Sequence, residues 1–186
     1  MSDRNTATCG YARSCAVSAA ECAVLRSRRR RGRAPRRIPR GGVTSAPMGT
    51  WGTGAFDNDD AADWSWGFEN ADRAAGLRLI TEALSAAAQL DGAAYLDVSD
   101  GACAVAAAEV VASINGQPID ESAYNETVRQ WITRTGPGTD AALTVLARQA
   151  LDQVASQNSE LSQLWSESGS GEWHSALAAL KARLDR

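Results

Sequence analysis

Carboxylates carry most of the chemistry this chain could perform. Asp57, Asp59, Asp60 and Asp63 crowd into a span of seven residues, and hard cations such as Ca²⁺ or Mg²⁺ take several carboxylate oxygens. A calcium loop of the helix–loop–helix kind needs ligands at positions 1, 3 and 5, Gly at 6 and Glu at 12. Counting from Asp57 puts Ala61 and Ala62 at positions 5 and 6, and counting from Asp59 puts Ala61 at position 3. The pattern fails, so no metal site is expected. Helix capping and first-turn acids explain most of the cluster, with Asp59 and Asp63 kept as polar positions to locate.

Glu109 is the other carboxylate of interest. Between residues 102 and 112 the only polar side chains are Cys103 and Glu109. An ionised carboxylate in a dry core is costly and gains either a partner or a proton. Glu109 therefore either runs along a thin solvated strip or is hydrogen-bonded. The expected donors are a Trp indole N–H or the backbone N–H groups of the glycine-rich segment GTWGTGAF. Catalysis would need a second group, and Asp63 is the candidate for a carboxylate pair.

The glycine-rich segment itself admits two readings. Glycine loops ahead of a helix N-terminus cradle phosphates. Here no Lys follows, the spacing is not that of a phosphate-binding loop, and the neighbouring acids would repel phosphate. The structural reading is preferred: the glycines let the chain lie close to the helices while Trp51 and Phe56 plug the core. His174 is the only histidine, and one imidazole builds neither a typical zinc site nor a His-based triad unaided. It reads as a surface or first-turn residue. Cys9, Cys15, Cys22 and Cys103 match no zinc spacing and no disulfide framework. No cofactor is expected.

The elements that must position these residues are helical. Of 186 residues, 44% are hydrophobic, and Ala and Leu, both good helix formers, dominate from Met48 onward. No sustained alternation of β-branched residues marks a strand. Asn58 is expected to cap an acidic helix to about Phe68. Asn70 should cap a second to about Leu90, with Leu77, Ile80, Leu84 and Ala87 on its apolar face, and Asp91-Gly92 should end it. Gly76 either weakens that helix or permits a close helix contact. Ser99 or Asp100 should cap a third to Ile114, apolar nearly all round and therefore central, with Asn115-Gly116 as its stop.

Asp120 is placed at the start of a fourth helix carrying Tyr124, Val128, Trp131 and Ile132, closed by Gly136-Pro137-Gly138. A fifth is expected over residues 139–156, a short turn of helix, SELSQLW, started by Asn158, a loop from Ser166 to Gly171, and a last helix over residues 172–184. In that last helix Lys181 and Arg183 suit the dipole. The fold class is thus all-α, a compact orthogonal or bundle-like domain of six to seven helices.

Charge divides the chain. Residues 1–47 hold 11 basic residues and two acids, a net +9, whereas residues 48–186 hold 8 basic residues and 20 acids, a net −12. Nine arginines fall between Arg26 and Arg40, and such dense like charge is expected to stay disordered. One reading of this tail is a nucleic-acid contact through phosphate neutralisation. The other is that residues 1–47 are mis-assigned, with the true start at Met48. No apolar run approaches the roughly 20 residues that span a bilayer. The weakly apolar stretch Cys15–Leu25 precedes the arginines, the wrong order for a secretory signal, so a cytoplasmic location is expected.

The run Met48-Gly49-Thr50-Trp51-Gly52-Thr53-Gly54-Ala55-Phe56-Asp57-Asn58-Asp59-Asp60-Ala61-Ala62-Asp63-Trp64 resembles the opening of an uncharacterised bacterial family, domain of unknown function 4259. Further similarity lies at AAAEVV (Ala106–Val111), at SELSQLW (Ser159–Trp165) and at Trp173, so the resemblance covers residues 48–186. It singles out Trp51, Gly52, Gly54, Phe56, Asp57, Asn58, Asp59 and Trp64, implies a helical domain and carries no activity.

Six tryptophans mostly fall at helical core positions, but Trp66 with Phe68 is a candidate exposed aromatic patch for a partner. The chain lacks the nucleophile–base pair, metal cluster and phosphate loop of the common enzyme classes. The expected function is a protein-binding module of an immunity or regulatory kind, meeting a basic protein partner. The alternatives are an enzyme using Glu109 and Asp63, or nucleic-acid binding through the arginine tail.

Overall fold

The first helix begins because Asn58 supplies what its end lacks. Asn58 is extended (φ −152°, ψ 158°) and its side chain accepts from the Ala61 N–H, while Asp59 and Asp60 occupy the positive first turn. The helix α1, Asp59–Ser65, runs into a 3₁₀ turn, Trp66–Phe68. The computed structural model describes residues 52–90, 94–119, 123–139, 141–169 and 171–186. All of them belong to one compact unit. The arginine-rich segment, Met48, Trp51, the Asp91-Gly92 stop and Asp120 lie outside the described residues.

Helix α2, Arg73–Ala88, starts later than Asn70 implied. Asp72 is the cap, its carboxylate accepting from the Ala75 N–H at 2.7 Å. The reason is that the chain through Ala71 still closes the preceding turn, with the Ala71 N–H donating to the Phe68 carbonyl. Ile80, Leu84 and Ala87 are buried as their spacing required, and Leu77 is half-buried at the edge. Gly76 faces the Trp131 ring so closely that a Cβ would lie 2.2 Å from it. Of the two readings of this glycine, the close helix contact is the one realised.

Helix α3, Val98–Ile114, is capped by Asp97, not by Ser99 or Asp100. Asp97 accepts from the Ser99 N–H at 2.9 Å, leaving Asp100 to face the helix dipole in the first turn. Every residue from Ala104 to Ala112 is buried. That total burial follows from position: α3 packs against α2 and against α5, Ala141–Val154, which also pack on each other. The small alanines allow the backbones to approach. Gly116, at φ +93°, turns the chain away.

The chain enters α4, Glu126–Thr135, through a 3₁₀ turn, Ala123–Asn125. Tyr124 therefore belongs to the turn rather than to the helical stripe, and is 49% exposed. Val128 and Trp131 carry the buried face. Two arginines lash the helix ends together. Arg73 donates to the carbonyls of Thr135, Gly136, Pro137 and Gly138, which satisfies the C-terminal end of α4. Arg134 returns the favour, donating to the carbonyls of Phe68, Glu69 and Ala71.

Ser159 caps α6, Glu160–Glu167, which runs on into the expected loop. Its start is tied to the chain before α3. The Leu96 N–H donates to Asn158 O at 2.8 Å and the Glu160 N–H to Leu96 O at 3.0 Å, an isolated parallel bridge. Among the described residues there is no strand. The last helix, α7, Gly171–Leu184, lays Trp173, Leu177, Leu180 and Leu184 against α3 and α5. The architecture of the described residues is all-α, seven α-helices around a central α3. No described helix is long and apolar enough to cross a membrane.

Candidate functional site

The glycine-rich opening closes on its own carboxylate. The Gly54 N–H donates to Asp57 Oδ2 at 3.0 Å, and the Asp57 N–H donates to the Gly54 carbonyl at 3.1 Å. A Cβ on Gly52 would come within 2.4 Å of Asp57 Oδ2, and one on Gly54 within 2.7 Å. A Cβ at either position would push this carboxylate out of its seat. The seat a phosphate would need is thus held by Asp57 itself. The next side chain, Phe56, is buried at 3% exposure, so the turn aims its aromatic inward as expected.

Behind this turn lies a cavity of about 330 Å³. Its walls come from residues 53–57, from Val105 and Glu109 of α3, from Ile119 and Asn125, and from the Trp173, Leu180 and Arg183 side of α7. Glu109 is 8% exposed. Neither an indole nor the glycine-rich backbone is its partner. Arg183 reaches it with both guanidinium arms, Nη1 to Oε2 at 2.9 Å and Nη2 to Oε1 at 2.7 Å. Such a fork is the strong form of a carboxylate contact. The same Nη2 also donates to the Gln117 and Pro118 carbonyls. The arginine therefore binds α7 to α3 and to the chain leaving α3. Sequence reasoning assigned Arg183 to the helix dipole and missed this pairing, because the two residues lie 74 positions apart.

Residues 49–176 match the family described as Domain of unknown function (DUF4259). The chain belongs to this family. No curated protein and no solved structure matches it. The DUF4259 match contains the glycine turn, Glu109 and Trp173, whereas Arg183 lies beyond its last residue.

Within the DUF4259 segment the remaining candidates are spread over different surfaces. Asp59 and Asp63 are exposed on α1, and neither lines the cavity that holds Glu109. Asp60 instead accepts from the Ser99 hydroxyl at 3.0 Å, joining α1 to α3. Asn58 acts as the α1 cap. Trp64 is half-buried and meets the Phe68 ring edge-on, with centroids 5.1 Å apart.

The aromatic pair Trp66 and Phe68 divides. Trp66 is 63% exposed, but Phe68 is fully buried and packs on Trp131 with centroids 4.9 Å apart. A 3₁₀ turn has three residues per turn, so residues two apart cannot share a face. Phe68 is therefore a core residue and not part of a surface patch. Trp66 lines an open depression with Glu69, Arg78 and Glu82.

Trp165 and Trp173 stack at 6.0 Å, both buried, and His174 is exposed beside them. Burial, with Asp60 and Asp100 nearby, pushes the Cys103 thiol up to about 12. Among the described residues no group of three or more His, Cys, Asp or Glu is placed to hold a metal ion.

Proposed function

We propose that this domain is a protein-binding module of a regulatory or immunity kind, and that it meets a basic partner through the surface around Trp66. The observation that carries the reading is the exposure of Trp66, 63%, whereas Phe56, Phe68, Trp131, Trp165 and Trp173 are buried. A large exposed aromatic is available area for a partner, and Trp is a frequent anchor of binding energy. Glu69 and Glu82 stand beside it with a single base, Arg78. The excess of 20 acids over 8 bases across residues 48–186 speeds encounter with a positively charged surface.

The geometry lends nothing to the carboxylate-pair enzyme: Glu109 is engaged through both oxygens and Asp63 faces solvent elsewhere. The nucleic-acid reading concerns a segment outside the described residues.

The test is capture from the native host with the full chain, compared with Trp66→Ala and with Glu69→Lys/Glu82→Lys. The expected result is a basic protein whose retention falls about tenfold or more in both variants. A bound set that is identical for all three proteins, or no bound protein at all, overturns the reading.

A further inference from the structure

We propose that the cavity between the glycine turn and α7 binds a compact alkylammonium group. Its volume, about 330 Å³, sits at the small end of the roughly 300–1,000 Å³ typical of ligand pockets. Three ionisable side chains line it, Asp57, Glu109 and Arg183, which leaves an excess of one negative charge. Phe56, Ile119, Trp173 and Leu180 supply apolar walls. A half-open pocket with apolar walls and a few convergent polar groups suits a short carbon chain ending in a cation, and the aromatic walls favour a cation further.

The kind of cation follows from Glu109. A carboxylate offers about four lone-pair directions. The Arg183 fork takes one on each oxygen, and it takes the two that lie side by side. A guanidinium needs that same bidentate face and finds it occupied. An ammonium needs only single lone pairs, because its three donors are not held in a plane. The remaining directions on Glu109, in the wall of the pocket, are therefore matched to a primary amine. Arg183 remains in place and prevents a net charge of two from accumulating in the unfilled cavity. This inference is independent of the Trp66 surface, which does not line the cavity.

The test titrates the full chain with n-butylammonium, n-butylguanidinium, 1-butanol and butyrate, following the Trp173 indole N–H by NMR and assigning it with Trp173→Phe. The expected result is saturable binding of butylammonium, about fivefold or more tighter than the other three. Ala176→Leu narrows the cavity from α7 without altering its charge. That variant should lose the response about tenfold while keeping the parent's melting curve. Glu109→Gln should weaken it as well. No saturable response, an equal response to all four probes, or an unchanged response in a folded Ala176→Leu protein overturns the proposal. An acetylated lysine methylamide distinguishes the sources of such a group. If it binds like butylammonium, the ligand is a lysine side chain; if butylammonium alone binds, it is a free amine.

Discussion

Glu109 reaches Arg183 through both carboxylate oxygens in a helix whose other residues from Ala104 to Ala112 are apolar. Removing one partner of a buried pair strands the other charge, which costs about 3–5 kcal/mol, whereas replacing both with apolar groups is often near neutral. The Arg183 side chain keeps 26% of its exposure and that of Glu109 10%, so the low end applies. Arg183→Met should lose about 3 kcal/mol in urea unfolding, and Glu109→Leu/Arg183→Met should recover most of it. Equal losses in the single and double variants would show that the pair is not a buried coupling.

Cys103 gives a second residue-scale prediction. Its thiol is raised to about 12 by burial first and then by Asp60 and Asp100, so it stays protonated in the folded protein at neutral pH. Site-resolved iodoacetamide labelling at pH 8 should leave Cys103 unmodified until denaturant is added. An unfolded thiol ionises near pH 9 while the folded one holds its proton. Stability should therefore fall as pH rises from about 9 toward 12, and Cys103→Ser should flatten that slope. The anomaly of Glu109 was legible in sequence from the apolar run around it. Its partner was not, because an arginine near a helix C-terminus is equally well explained by the dipole.

At the scale of elements, the helices announce themselves by their caps and stripes, but their ends depend on neighbours. Asn58 caps where its type and position suggested, and Ser159, one residue after the expected Asn158, caps α6. Asp72 and Asp97 displace Asn70, Ser99 and Asp100, since Asn, Asp and Ser are near-equal caps and the preceding turn decides which is extended. Gly76 illustrates the opposite balance. Alanine there gains about 1 kcal/mol of helix propensity, but its Cβ would meet the Trp131 ring at 2.2 Å. That ring cannot swing away, being fully buried, packed on Phe68 and donating to the Asp72 carbonyl at 3.3 Å. Overpacking costs about 1–3 kcal/mol, so Gly76→Ala should lower stability by about 1–2 kcal/mol in a urea titration. A stabilised variant would mean that α2 and α4 do not press together here.

For the whole molecule, α3 is the shared wall: α2 and α5 pack on it and on each other, while α1, α6 and α7 close its remaining sides. No helix of the described unit has a core of its own, so helix loss by circular dichroism and tryptophan fluorescence should follow one coincident urea transition. Two separated transitions would contradict a single core built on α3. Composition and period alone determined that residues after Met48 form helices and that Ala106–Val111 lies at the centre. Both are local properties: propensity and the spacing of apolar side chains act within a few residues. The Glu109–Arg183 fork, the seating of Asp57 against Gly52 and Gly54, and the parting of Trp66 from Phe68 were decided only by the tertiary structure. The fork depends on which surfaces meet across the bundle, and one-dimensional spacing does not encode which faces will be neighbours. The other two depend on the backbone path of short turns, at residues 54–57 and 66–68, which residue types alone leave open.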